Sequence, residues 1–257
     1  MTDLILQEDP APGVRLLRIN RPEARNALNT PLRKALAAAF MQAVQEPELR
    51  AIVMTGDERA FVAGADLREF ATMSTTDVAR VDMRQTWGVI AACPLPVIAA
   101  IRGFALGGGL ELAMHADIII AGEGARLGQP EIGVGIMPGG GGTQRLVRAV
   151  GKFKAMQMLL TGQPVTGRVA FEMGLVSEVV EDAEVLPHAL ELAARIASLP
   201  PLAARKIKEV VLAGADAPLD TGIMLERRAF ETLFDTTDKA EGMAAFLEKR
   251  PARFRGE

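Results

Sequence analysis

Short apolar runs of β type alternate with glycine-rich turns and helical stretches through most of this chain. The runs PVIAAI (96–101) and DIIIA (117–121) are far below the roughly 18 apolar residues that cross a bilayer, and we interpret them as buried strands. Continuous apolar strands that alternate with helices are typical of parallel sheets with both faces covered. The alternation therefore predicts an α/β fold with substantial parallel pairing.

The start of the chain follows the same alternation. Residues 14–20 alternate in polarity and predict a strand that ends before a proline-containing loop, RPEARNAL. An alanine-rich stretch predicts a helix over 30–45, with Thr30 as the N-cap and Pro31 at the first helical position. Residues 50–55 predict the next strand.

The character of the sequence changes after about Leu186. The segments ALELAARIASLPPLAARKIKEVVLAG and LERRAFETLF carry a helical period, and no strand pattern separates them. The pair Pro200-Pro201 interrupts the first of them. We expect the C-terminal part of the chain to be helical and to pack closely on the rest.

Charge and composition exclude several classes of function. The net charge is -3 and the pI is near 5.6, so bulk electrostatics give no reason to expect nucleic acid or an anionic membrane as a partner. Cys93 is the only cysteine, which rules out an intramolecular disulfide and argues against a cysteine-based zinc cluster. The N-terminal residues carry no signal or transit pattern. We therefore expect a cytoplasmic protein with no membrane association.

A run of three glycines, Gly107 to Gly109, leads directly into the apolar stretch LELAMHAD. Glycine at a helix start leaves backbone N–H groups approachable, and these can hold an anion or a developing oxyanion. The glycines could equally serve tight packing of a helix on a strand. Glu111 follows in an apolar context where a carboxylate is costly to bury unless it is paired or used. The simpler reading of Glu111 is a first-turn glutamate that the helix dipole stabilises.

A second glycine-rich stretch, GQPEIGVGIMPGGGGTQRL, contains Glu131. Its run of glycines predicts a loop that a ligand can approach closely, and the spacing matches neither a P-loop nor a dinucleotide-binding loop. The alternative for Glu131 is a turn carboxylate that pairs with Arg126 or Arg145. Two carboxylates in such surroundings predict acid/base chemistry.

A third stretch, AFVAGADLREF, ends a strand pattern in small residues. Asp66 fits the N-cap of a following helix, and backbone N–H groups should again be open at this turn. A plain turn between a strand and a helix explains the same residues.

Other chemistries find little support. Tyrosine is absent, and the two histidines, His115 and His188, have no zinc-binding spacing, so no metal site is expected. No GxSxG turn is present. Phe70, Met73 and Trp87 are candidates to line a ligand pocket, although large apolar residues usually belong to the core.

Together, AFVAGADL, GFALGGGLELAMHADIIIAG and GQPEIGVGIMPGGGGTQRL resemble the enoyl-CoA hydratase family of the crotonase superfamily. The resemblance extends in order from INRPEARNALN to AFLEKRPARF and covers nearly the whole chain. It implies a crotonase-like spiral of ββα units with an acyl-CoA site over 1–190 and a C-terminal helical oligomerisation region over 191–257. Trimers, commonly paired into hexamers, are the implied assembly.

The resemblance also implies roles for individual residues. The backbone N–H groups of Ala65 and Gly108 correspond to an oxyanion hole for the thioester enolate. The residues that it assigns to coenzyme A binding are Arg25, Ala27, Leu28, Ala63, Phe246 and Lys249. In the family, the last two come from a neighbouring subunit; without the resemblance they are a capping aromatic residue and a solvated lysine.

The implied reaction is hydration of a trans-2-enoyl-CoA to a 3-hydroxyacyl-CoA, because both acid/base positions of hydratases carry glutamate, Glu111 and Glu131. We expect Glu111 to be the base, since a helix N-terminus favours its ionised form, and Glu131 to be the acid. The alternatives are an enoyl-CoA Δ-isomerase and a non-catalytic RNA-binding relative, which would need a basic stripe that the sequence lacks. No cofactor is implied beyond the coenzyme A of the substrate, and the pathway is either fatty-acid or phenylacetate-type breakdown, with 2,3-dehydroadipyl-CoA as one candidate substrate.

Overall fold

The computed structural model describes residues 3–81 and 86–257. Its larger sheet has six strands and its smaller sheet has four, numbered here in chain order. The larger sheet contains β1 (Ile5–Ala11), β2 (Val14–Ile19), β3 (Ala51–Thr55), β5 (Val97–Ile101), β7 (Ile118–Gly122) and β10 (Glu178–Val180), in that spatial order. The smaller sheet contains β4 (Ala60–Val62), β6 (Phe104–Leu106), β8 (Arg126–Gly128) and β9 (Val165–Thr166), in that spatial order.

The chain visits the two sheets in turn. From β3 to β8, each strand of the larger sheet is followed by one strand of the smaller sheet, and neighbours within each sheet are parallel. Such a path is a spiral in which each turn adds one strand to both sheets. The parallel pairing confirms the predicted α/β fold. Antiparallel pairs close the edges, at β1–β2 and at β8–β9.

The central strands β3, β5 and β7 of the larger sheet are buried on both faces, which explains their continuous apolar sequences. Ile52 and Met54 of β3 point into the core that the helix α1 (Thr30–Gln45) also enters through Phe40. Val53 of the same strand points into a second core with Ala189 of α8 (Val185–Ala197). Side chains alternate between two covered faces, as expected for parallel strands.

The remaining helices connect or cover these sheets. In chain order they are α2 (Leu67–Phe70), α3 (Thr75–Arg80), α4 (Trp87–Ala91), α5 (Gly108–Ala113), α6 (Gly142–Thr161), α7 (Gly167–Glu172), α9 (Pro201–Ala215), α10 (Leu219–Thr232) and α11 (Thr237–Glu248). Within the described residues no strand follows β10, so the helical C-terminal part is confirmed. Pro201 begins α9, which confirms the predicted break at this point.

The N-cap of α1 lies one residue before the predicted one. Asn29 is the cap, and its side chain accepts a hydrogen bond from the N–H of Leu32 at 2.9 Å. The prediction of Thr30 is wrong because the Thr30 hydroxyl is hydrogen-bonded to Glu69 instead. Asp66 does cap α2, as predicted, by accepting from the N–H of Arg68.

Large apolar side chains lie exposed on the C-terminal helices. Leu219, Phe246 and Leu247 are each more than three-quarters exposed, at 77%, 84% and 79%. In the described ranges no helix combines the length and the apolar character that a membrane crossing requires.

Candidate active site

The candidate site lies at one edge of the smaller sheet. The adjacent strands β4, β6 and β8 are parallel, so their carboxyl ends meet at this edge. Ala65 follows β4, Gly108 follows β6 and Glu131 follows β8. Three motifs that are far apart in the sequence are thereby brought to the ends of neighbouring strands.

Two backbone N–H groups at this edge are left without ladder partners. Leu28 forms a parallel bridge with Ala65 through the Leu28 N–H to Gly64 and the Asp66 N–H to Leu28, so the bridge leaves the N–H of Ala65 unused. Gly108 opens α5, where the N–H group has no acceptor within the helix. A Cβ at Gly108 would lie 3.7 Å from the nitrogen of Ala65, so the two residues face each other.

Two glycines of the GGG run, Gly107 and Gly109, lie where a side chain would clash with a neighbouring residue. Gly107 has φ +51°, and a Cβ there would come within 2.8 Å of Glu131 Oε1. A Cβ at Gly109 would meet the carbonyl oxygen of Val62 at 2.1 Å. Gly109 therefore permits close packing of α5 on β4, which is the simpler of the two readings that the sequence allowed, while Gly107 lies directly against the candidate catalytic carboxyl of Glu131.

Glu111 is buried and hydrogen-bonded to backbone. It is 4% exposed, and its Oε1 accepts from the N–H groups of Gly140 at 2.7 Å and Gly142 at 2.8 Å. Burial raises the pKa of Glu111, and these two hydrogen bonds oppose that rise because they favour the charged form. Glu111 lies in the first turn of α5, as the sequence suggested. Its two donors belong to the loop before α6 and to the first residue of α6, so the start of a second helix also stabilises the carboxylate.

Glu131 lies in a 3₁₀ turn, Glu131–Val134, and has no comparable pair of backbone donors. Burial raises its pKa to about 7, and the charge of Glu111 adds to the rise. No ion pair among the described residues includes Glu131; Arg145, one of its suggested partners, donates to the carbonyl of Met114. A carboxyl whose pKa is raised to about 7 and a second one held by two N–H donors thus lie in one site.

Gln129 is a site residue that the sequence reasoning missed. It is fully buried, and with its amide nitrogen turned toward Glu131 it donates to Oε1 at 3.0 Å and Oε2 at 3.2 Å. Because an amide has both a donor and an acceptor end, it can serve Glu131 in either protonation state. The available signal was a polar residue two positions before Glu131 in an otherwise strand-like segment.

Trp87, the first residue of α4, lies beside Glu111. A Cβ at Gly140 would be 2.7 Å from Glu111 Oε2 and 3.1 Å from Trp87 Nε1. The ring of Trp87 stacks on that of His115, with centroids 5.6 Å apart. The other two pocket candidates lie on the segment that starts at α2: Phe70 has the Arg33 guanidinium 6.0 Å from its ring centre, and the half-buried Met73 donates its N–H to the Phe70 carbonyl.

The loop predicted to bind coenzyme A joins the turn that carries Ala65. Arg25 is exposed and in a left-handed conformation, and its carbonyl accepts from the N–H of Ala63 at 3.1 Å. Ala27 is half-buried and Leu28 is buried, with its Cδ1 3.3 Å from the position of a Cβ at Gly108. Four of the six predicted coenzyme A residues are therefore grouped at the small-sheet edge.

Phe246 and Lys249 lie at the end of α11. Phe246 is 84% exposed, and Lys249 caps the helix in a left-handed conformation. Within the described part of the chain, no hydrogen bond or ion pair links either residue to the loop over 25–28.

Comparison with known proteins identifies relatives that match this chain over nearly its whole length. A family model described as enoyl-CoA hydratase/isomerase matches residues 10–257. A probable enoyl-CoA hydratase of Mycobacterium bovis is 43% identical over 98% of this chain and 97% of its own length. The 2,3-dehydroadipyl-CoA hydratase of Escherichia coli is 42% identical over 100% of both chains.

A solved structure shows the same fold. The enoyl-CoA hydratase of Bacillus anthracis superposes with a TM-score of 0.95 at 39% identity, covering 99% of this chain and 100% of that one. The crotonase-like spiral that the motifs implied is thereby confirmed. The chain belongs to the enoyl-CoA hydratase/isomerase family and is an enzyme of that family.

Proposed function

We propose that this enzyme hydrates trans-2-enoyl-CoA thioesters to 3-hydroxyacyl-CoA products. The observation that carries the proposal is the buried carboxyl of Glu111 and the half-buried carboxyl of Glu131, beside N–H groups of Ala65 and Gly108 that have no partner among the described residues. Hydration needs a base for water, an acid for the α-carbon and a site for the negative charge between these steps. Each requirement has a candidate group at the small-sheet edge.

The N–H groups of Ala65 and Gly108 bind the thioester oxygen. Addition at C3 moves electrons onto this oxygen, and donors that are already oriented stabilise the enolate without reorganising. Their free state in the fold and the mutual approach of the two residues support this role.

Glu111 takes a proton from water while the water oxygen forms a bond to C3, and Glu131 delivers a proton to C2 as the enolate collapses. The backbone donors to Glu111 favour its ionised form, and the raised pKa of Glu131 favours its protonated form. The net reaction adds H and OH across the double bond. Because each carboxyl senses the charge of the other, the two titrate as a coupled pair.

Coenzyme A binds along Arg25, Ala27, Leu28 and Ala63, which lie next to the turn of Ala65. Phe246 and Lys249 reach the coenzyme from a neighbouring subunit, and residues 191–257 mediate a homotrimer or a hexamer of two trimers. The exposed apolar side chains Phe246 and Leu247 support burial of this face in an assembly. Loss of coenzyme A affinity in Lys249→Ala, with assembly intact by light scattering, would support the role of Lys249.

The test is turnover of the purified enzyme with crotonyl-CoA, followed by loss of the conjugated thioester absorbance. We expect formation of 3-hydroxybutyryl-CoA. A matched assay with a 3-enoyl-CoA distinguishes the related Δ-isomerase: consumption of the 3-enoyl substrate without any hydration of crotonyl-CoA would overturn the proposal. A panel from crotonyl-CoA to long-chain and ω-carboxylated substrates, including 2,3-dehydroadipyl-CoA, distinguishes fatty-acid from phenylacetate-type breakdown.

A further inference from the structure

The indole N–H of Trp87 is a buried donor with no acceptor among the described residues. Trp87 is 6% exposed, and its Nε1 is shielded from solvent and forms no hydrogen bond within residues 3–81 and 86–257. A buried donor without an acceptor is costly, and natural proteins keep few of them. The N–H group is therefore a candidate to bind part of a ligand.

The donor faces the catalytic carboxyl across a space without a side chain. Glu111 Oε2 and Trp87 Nε1 both lie around the point where a Cβ at Gly140 would be, at 2.7 Å and 3.1 Å. Among the described residues, the hydrogen bonds to the Glu111 carboxyl all go to Oε1. Since Glu111 is proposed to act at C3, the N–H group borders the acyl chain near that carbon or just beyond it.

The charges around this space favour a neutral ligand atom. Glu111 Oε2 is near the shared point and would repel a carboxylate there. The ring of His115 stacks on Trp87 at an interplanar angle of 8°, and burial, together with the charge of Arg145, lowers the pKa of His115 to about 4. His115 is thus uncharged near pH 7 and fixes the orientation of the indole without adding a cation.

We infer that Trp87 determines acyl-chain specificity: its indole N–H binds a neutral oxygen of the acyl chain beyond C3, so the enzyme prefers thioesters that carry such an oxygen to plain alkyl thioesters. The inference rests on the proposed hydratase site and adds a substrate class to it. A pocket with a buried donor discriminates against ligands that leave the donor unpaired. An ether, hydroxyl or carbonyl oxygen provides the acceptor.

The test uses ether and alkyl thioesters of equal length, because replacement of CH₂ by O adds an acceptor with little change in shape. The pairs are 3-methoxypropanoyl-CoA with pentanoyl-CoA, 4-methoxybutanoyl-CoA with hexanoyl-CoA, and 5-methoxypentanoyl-CoA with heptanoyl-CoA. These saturated thioesters have no double bond to hydrate, so their dissociation constants are measured at equilibrium. Trp87 is the only tryptophan of the chain, so its fluorescence reports directly on the site.

The single tryptophan also provides a matched control protein. Incorporation of benzothienylalanine in place of tryptophan changes only residue 87 and replaces N–H by sulfur in a ring of nearly the same shape. Trp87→Phe is the second variant, and circular dichroism shows whether each protein is folded. The ratio of the two dissociation constants within a pair cancels any general weakening of binding.

We expect one ether ligand to bind the wild-type enzyme about fivefold more tightly than its alkyl partner, with a red shift of the indole emission. The preference should disappear in the benzothienylalanine protein and in Trp87→Phe. Equal binding within all three pairs, or a preference that persists without the N–H, would overturn the inference. Hydration of crotonyl-CoA by the wild-type enzyme is measured in parallel; its absence would overturn the proposed function itself.

Discussion

The segments around Glu111 and Glu131 reach the same edge of the smaller sheet, yet their carboxyl groups have different hydrogen-bond partners. Glu111 lies on α5 and receives two backbone N–H donors from the loop that begins α6. Glu131 lies in a short 3₁₀ turn, contacts the amide of Gln129 and lies beside Gly107, where a Cβ would come within 2.8 Å of its Oε1. Burial raises the pKa of both carboxyls, but only Glu111 has two backbone donors to oppose it.

The difference shows how one fold can supply a base and an acid from the same residue type. Backbone N–H groups stabilise a carboxylate and cannot accept a proton, so they favour only the ionised form. An amide side chain stabilises both forms. In the proposed mechanism, the backbone of the glycine-rich loop before α6 therefore favours Glu111 as the base, although the loop contributes no side-chain chemistry of its own.

The largest effect should come from removing the proposed base. We expect Glu111→Gln to lower kcat for crotonyl-CoA hydration by about 10³-fold, since the amide cannot accept the proton of water. Steady-state kinetics measures the loss. Glu58→Gln is the control, because the Glu58 side chain is 87% exposed. A Glu111→Gln variant within about tenfold of wild type would contradict the division of roles.

A methyl group at position 107 should displace the carboxyl group of Glu131. Its Cβ would lie 2.8 Å from Glu131 Oε1, on backbone with φ +51°. We expect Gly107→Ala to lower kcat by about 10²-fold and to destabilise the fold by about 1–3 kcal/mol. Kinetics and urea unfolding measure the two effects.

Gly133→Ala is the matched control for this substitution. It lies in the same 3₁₀ turn as Glu131, and a Cβ there meets nothing within 4 Å. Equal losses in both variants would mean that alanine near Glu131 is harmful even where its Cβ meets no atom, and the specific contact between residue 107 and Glu131 would then lose its support as the cause.

The pH profile should separate the two carboxyls. Because the pKa of Glu131 is raised to about 7 and the proposed role requires its protonated form, kcat/KM should fall as pH rises above about 7. The expected slope is about tenfold per pH unit. In Glu131→Gln this alkaline limb should be absent, at a lower overall rate. An unchanged limb in Glu131→Gln would assign it to another group.

The sequence could predict the three turns of the site because each places glycine or a carboxylate where apolar side chains are otherwise expected. The α/β class followed from continuous apolar strands such as β5 and β7, and the structure confirms this class. The smaller sheet was harder to predict. Strands β4, β6 and β8 have only three residues each, too few for a periodic pattern, yet their pairing brings the turns together.

Side-chain neighbours across that edge could not be read from the sequence. The approach of Trp87 to Gly140 and of Gln129 to Glu131 depends on how α4 and the turn after β8 pack on α5. The donors to Glu111 come from a later helix for the same reason. Local sequence identifies residues with unusual chemistry, whereas their partners are set by long-range packing.

The smallest expected effect is on the free energy of unfolding. Its measurement tests the contrast between Glu111 and Glu131 without any substrate. A carboxyl whose pKa rises from 4.5 in the unfolded chain to about 7 in the fold stabilises the protein fully below the unfolded value. This contribution is lost as pH rises through about 7. The free energy of unfolding of the wild type should therefore fall relative to Glu131→Gln between about pH 5 and about pH 8, by at most about 3 kcal/mol.

Partial exposure of Glu131 makes the measured difference smaller than this limit. Glu111 is present in both proteins, so its own titration largely cancels in the comparison. Urea unfolding of the two proteins across this pH range provides the measurement. Parallel stability curves would mean that Glu131 is ionised in the fold near neutral pH, and the contrast between the two segments would then lose its physical basis.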